Sequence, residues 1–103
     1  MAINISINEE EGRLVVKVVG DLNNTASKQA VESFAPIFLR TDCDVAIDCS
    51  ELDYISSSGL RLMLDVYKHT SANGHDAILC HLSDDIVEVF DVSGFLQLFK
   101  TEK

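Results

Sequence analysis

Ile3, Ile5 and Ile7 alternate with Asn4, Ser6 and Asn8, the period of two that sends one face of a strand into a core and the other into water. Glu9-Glu10-Glu11-Gly12 supplies a polar turn, after which Leu14, Val16 and Val18 alternate with Val15, Lys17 and Val19. The opening therefore reads as a hairpin whose second strand ends at Gly20. Asn23 or Asn24 can cap a helix with Ala26, Ala30, Val31 and Phe34 at helical spacing. Pro36 has no N–H to give the preceding turn, so that helix kinks or ends near Ala35 and resumes as a short turn through Phe38. Val45-Ala46-Ile47 with Cys49 is a short apolar run suited to a central strand covered on both faces.

A short polar loop then leads to Ser56-Ser57-Ser58 at the start of a second helix. Leu60, Met63, Leu64 and Tyr67 recur at i, i+3, i+4 and i+7, which predicts that these four pack on the sheet while Arg61, Asp65 and Lys68 face water. Asn73-Gly74 is a helix stop. Ala77 to Cys80 is another apolar strand, Ser83-Asp84-Asp85 an N-cap with carboxylates in the first turn, and Ile86, Val89 and Phe90 the inner face of a third helix. Gly94 closes it, and Phe95 to Phe99 predicts a last strand before the charged tail Lys100-Thr101-Glu102-Lys103.

This order implies a single α/β domain over residues 1–103, with an antiparallel N-terminal hairpin, right-handed crossovers into a mixed, mostly parallel sheet, and helices packed on it. The chain has 103 residues, enough for one core. Its charge excludes some partners: 8 Lys and Arg against 17 Asp and Glu give −9, which repels nucleic acid and anionic membranes. No apolar run is long enough to insert in a membrane, and the first residues lack the order of a secretion signal, so a soluble cytoplasmic protein is expected. Cys43, Cys49 and Cys80 read as reduced core thiols, and His69, His75 and His81 have no metal-ligand spacing with them. No phosphate loop, nucleophile elbow or metal-binding histidine pair is present, so neither catalytic residues nor a cofactor or metal is expected. Asp48 and Asp53 at a strand's carboxyl end bring receiver domains to mind, but the acidic pair and lysine that such a site requires are missing.

The stretch Asp48 to Arg61 carries the candidate chemistry. In sheets of this kind functional groups gather at the carboxyl ends of strands. Ser56 or Ser57 can simply cap the helix. A serine hydroxyl there also lies beside unpaired helical N–H groups and the positive end of the dipole, where a phosphate adding about −1.5 to −2 charge finds donors.

Gly20-Asp21-Leu22-Asn23, Asp48-Cys49-Ser50 with Leu52, Ser57-Ser58-Gly59-Leu60 and Phe90-Asp91-Val92-Ser93-Gly94 together resemble the STAS family, the anti-sigma-factor antagonist domains of bacteria, over almost the whole chain. The resemblance implies that Ser57 is the target of an anti-sigma serine kinase, with Ser56 and Ser58 as competing acceptors. It also implies a cycle in which the unmodified protein binds the kinase and frees a sigma factor, phosphorylation ends the binding, and a serine phosphatase restores it. The docking surface it implies comprises Asp21, Asn23, Ser56, Ser57, Ser58, Gly59 and Arg61. Two positions differ from the family pattern, which often has Asp where this chain has Ser56 and Asn23. The alternative reading is a non-switching STAS scaffold in a transporter or other multi-protein complex, with Ser57 only a cap.

Overall fold

A computed structural model describes residues 3–102. The predicted hairpin is there: β1 (Asn4–Glu10) pairs antiparallel with β2 (Arg13–Leu22) from Asn4 opposite Val19 to Glu10 opposite Arg13. That register leaves Glu11-Gly12 as a two-residue turn, and both residues have positive φ, 53° and 79°, the pairing whose twist suits a hairpin.

Gly20 does not end the second strand. It takes φ of 105°, the register shifts between Gly20 and Asp21, and β2 runs on to Leu22 with a new neighbour. Along Leu14–Lys17 it pairs in parallel with β3 (Val45–Asp48), and along Gly20–Leu22 with β4 (Leu52–Ile55). The predicted polar loop thus contains a strand, its inner positions Leu52 and Ile55 buried and Asp53 and Tyr54 exposed.

The sheet continues β1-β2-β3-β5-β6 with β5 (Ala77–Cys80) and β6 (Lys100–Glu102), all parallel after the hairpin. The last strand is therefore the charged segment and not Phe95–Phe99. Edge pairing needs backbone only, so an exposed polar strand serves, while Phe99 is buried against the rings of Tyr67 and Phe90 at 5.6 and 5.9 Å.

Three of the four helices begin at a side-chain cap. Asn23 caps α1 (Asn24–Ser33), its Oδ1 accepting from the Ala26 N–H at 2.8 Å. Pro36 lies in the first turn of α2 (Ala35–Phe38), where a missing N–H costs nothing. Ser56 caps α3 (Ser57–Ala72), and Ser83 caps α4 (Asp84–Val92). Their inner residues meet Leu14, Val16, Val18, Val45, Ile47 and Leu79 in one core.

Two expected inner residues lie elsewhere. Val31 is 57% exposed, and α1 instead buries Ser27, whose hydroxyl donates to the Asn23 carbonyl at 2.8 Å. Leu64 is only half-buried, and α3 packs through Leu60, Leu62, Met63 and Val66. The stripe is rotated toward Leu62 because α1 as well as the sheet faces this helix.

The opposite sheet face carries a small second cluster of Ala46, Ile78 and Cys80 flanked by Val15. The Arg13 guanidinium and Glu102 carboxylate meet there in two bonds of 3.0 and 3.2 Å, reaching from β2 to β6 across β3 and β5. Both side chains border one shallow pocket with Val15, Ala46 and Cys80, whose lining includes no residue of the four helices.

Candidate functional site

The bend at Gly20 carries the end of β2 under the start of α3. The Leu22 carbonyl accepts from the Ser56 N–H at 2.9 Å and from the Ser56 hydroxyl at 3.1 Å. That hydroxyl oxygen accepts in turn from the Gly59 N–H at 3.2 Å. Ser56 is buried, so its hydroxyl is both the helix cap and a tie between helix and strand. Serine does what an acceptor-only carboxylate could not, since one of its two bonds is a donation.

Gly59 is buried directly above. A methyl at its Cα would lie 2.8 Å from Ile55 Cγ1 and 2.9 Å from both Leu22 Cγ and the Leu22 carbonyl oxygen. The glycine is thus required by the closeness of α3 to β2 and β4. Ser56 and Gly59 build the site from beneath.

Ser57 and Ser58, the first residues of α3, are exposed. Their hydroxyls differ. Ser58 donates to Asn24 Oδ1 at 2.9 Å, joining the starts of α1 and α3. The Ser57 hydroxyl has no hydrogen-bond partner among the described residues. Arg61 is exposed one turn further along α3, and Lys28 lies across the groove on α1; neither is in an ion pair among the described residues. Asn23 is exposed at the start of α1, and Asp21 is half-buried opposite Tyr54.

The surface around Ser57 includes residues the sequence reading did not select. One shallow groove, about 450 Å³, runs from Ser57 and Arg61 over Leu60 and Leu64 to Ser93 and Phe95. A second, about 220 Å³, lies between α1 and α3 beside Ser58, Lys28 and Val31. Tyr54, 53% exposed on β4, and Val92, 82% exposed on α4, add apolar surface. The signal for Tyr54 was its place in a four-residue strand that the polar Asp53 disguised.

The other candidate chemistry is dispersed. Cys43, Cys49 and Cys80 are free and buried, and Cys49 and Cys80 lie in the clusters on opposite faces of the sheet. Burial pushes the Cys49 thiol up to about 12, leaving it protonated and inert. Burial raises the Asp48 carboxyl, but bonds from the Ser50 N–H and hydroxyl outweigh it and hold the group below its ordinary value. His69 touches the Arg40 carbonyl and His75 lies by Asp44. Among the described residues no cluster of His, Cys, Asp or Glu is arranged to hold a metal, and no helix is long and apolar enough to cross a membrane.

A mixed sheet opened by a hairpin, with a serine triplet at the helix start beneath which β2 changes partner, defines a STAS domain. The STAS family model matches residues 4–103, and the chain belongs to that family. It is 32% identical over 97 residues to BtrV of Bordetella bronchiseptica, described as an anti-sigma factor antagonist, covering 94% of this chain and 84% of that one. Its fold matches that of an anti-sigma-factor antagonist (STAS) domain protein from Planctomyces limnophilus with TM-score 0.86 at 19% identity, over 96% of this chain and 89% of the other. The cell fate determinant SpoIIAA of Bacillus, solved in its phosphorylated form, matches with TM-score 0.73 at 19% identity, over 97% and 92% of the two chains.

Proposed function

We propose that this protein is an anti-sigma factor antagonist acting in the cytoplasm. While Ser57 is unmodified it binds an anti-sigma serine kinase and thereby frees a sigma factor; phosphate on Ser57 ends the contact, and a serine phosphatase renews it. One observation carries this reading: of the three serines at the start of α3, Ser57 alone is exposed with a hydroxyl committed to no partner. The relatives' description as anti-sigma factor antagonists supports the partner class, and a phosphorylated form of SpoIIAA supports the modification.

The docking face in this reading is Asp21, Asn23, Ser57, Ser58 and Arg61, extended by Tyr54 and by the groove to Phe95. Ser56 and Gly59 hold it in shape. A dianionic group placed at its centre adds desolvation cost and repulsion to a contact that fits a neutral hydroxyl, on a chain already at −9. Loss of about 1.4 kcal/mol lowers affinity tenfold.

The test is affinity capture from the native cell lysate, followed by phosphosite mapping and intact-mass measurement after ATP treatment. Recovery of an anti-sigma kinase that adds one phosphate to wild type and none to Ser57→Ala is the expected result. Phosphate gained equally by Ser57→Ala, or capture of transporter subunits with no kinase, would overturn the reading.

A further inference from the structure

We infer that Asn24 is a specificity-determining residue, which by holding the hydroxyl of Ser58 directs phosphorylation to Ser57. This rests on the reading that Ser57 is a kinase target, and goes beyond it by assigning the choice between two adjacent exposed serines to a residue on another helix.

In the transfer, the attacking serine oxygen forms a bond to the γ-phosphorus of ATP, the bond from that phosphorus to the bridging oxygen of ADP breaks, and the serine proton passes to a base on the kinase. The acceptor must therefore offer a lone pair in line with the phosphate and a proton to that base. Ser58 Oγ donates its proton to Asn24 Oδ1 at 2.9 Å. An amide oxygen accepts a hydrogen bond but is too weak a base to take the proton, so this bond must break before Ser58 can react. Ser58 borders both the groove that Ser57 lines and the α1–α3 groove, and its bond ties its hydroxyl to the α1 side. Ser56 is excluded independently, being buried with its proton on the Leu22 carbonyl. Nothing comparable restrains Ser57.

Asn24 is free to serve this purpose because the helix does not need its side chain. Asn23 caps α1 through its own Oδ1, and Asn24 is the first helical residue behind it. Alanine is a good residue there, so replacement of Asn24 removes the latch and leaves the helix.

Wild type, Ser57→Ala, Ser57→Ala/Asn24→Ala and Ser57→Ala/Asn24→Gln are incubated with magnesium ATP and the anti-sigma kinase captured with the wild type, and the phosphate is located by tandem mass spectrometry. Wild type is expected to carry phosphate on Ser57, and Ser57→Ala to remain near background. Ser57→Ala/Asn24→Ala is expected to gain phosphate on Ser58 about tenfold faster than Ser57→Ala, the factor lost with one hydrogen bond near the upper end of its usual worth. The Gln variant, whose amide oxygen can accept the same bond and is no stronger a base than that of Asn, is expected to be slower than the Ala variant. Equal Ser58 rates in Ser57→Ala and the double Ala variant, alongside a wild type modified on Ser57, overturn the role of Asn24 and leave the functional reading standing. A wild type that takes no phosphate on any serine overturns both.

Discussion

Gly59→Ala sets two physical effects against each other, and the structure says which wins. Alanine is favoured over glycine by about 0.8–1.0 kcal/mol in a helix interior, an upper bound for Gly59 in the first turn of α3, so propensity alone predicts a gain. The added methyl would lie 2.8 Å from Ile55 Cγ1 and 2.9 Å from Leu22 Cγ and the Leu22 carbonyl oxygen. Leu22 is fully buried, and its carbonyl already takes two bonds from Ser56, so the strand cannot withdraw without loosening the helix cap. Overpacking of this kind costs about 1–3 kcal/mol. The expected balance is a net loss of about 1 kcal/mol, read as a lower urea midpoint and a melting temperature about 4–8 °C lower. Ser58→Ala, which changes the exposed neighbour without a clash, serves as the control and stays within about 0.5 kcal/mol of wild type. A Gly59→Ala protein as stable as wild type, or more so, would refute the close approach of α3 to β2.

Other outcomes follow from the same geometry. Ser56→Ala removes a cap and is expected to cost about 0.5–2 kcal/mol in chemical denaturation. Leu62→Ala, at a buried position, is expected to cost about 2–5 kcal/mol and Leu64→Ala clearly less; the reverse order in urea midpoints would put α3 in the wrong rotation. The Asp44 carboxylate is held below its ordinary value of 3.8 by the Asp76 N–H at 2.9 Å, against a smaller effect of burial, with His75 adding to the lowering. A carboxyl depressed by folding contributes stability above its unfolded pKa and loses it as pH falls through the folded one. Asp44→Asn should therefore destabilise more at pH 7 than at pH 2.5, and equal shifts in melting temperature would deny that role.

The elements read correctly from sequence were those whose pattern is long or punctuated. The isoleucine alternation of β1, the cap before α3 and the Asn73-Gly74 stop each express a local rule. β4 was missed because only Leu52 and Ile55 face inward and four residues hold no period. Gly20 looked like a terminus because a glycine that bends a strand and one that ends it are alike until the next partner is known. β6 was displaced because apolar Phe95–Phe99 competes with a charged edge strand for which side-chain pattern carries no information. Ser57 at a helix start was legible. That Ser56 faces down, that Ser57 is free and that Ser58 is held by Asn24 was not, because the Ser56–Leu22 and Ser58–Asn24 bonds each join residues 34 positions apart.

The change of partner along β2 has a consequence for how any modification of this surface is read. Strand, cap and glycine interlock under α3, so any shift of the backbone at the helix start would break the Ser56–Leu22 bonds or press Gly59 onto Leu22 and Ile55. A phosphate there would act as a label read by whatever touches it, rather than as a lever that moves the chain. The modified and unmodified forms would then superimpose almost atom for atom, and the information would reside in the surface chemistry alone.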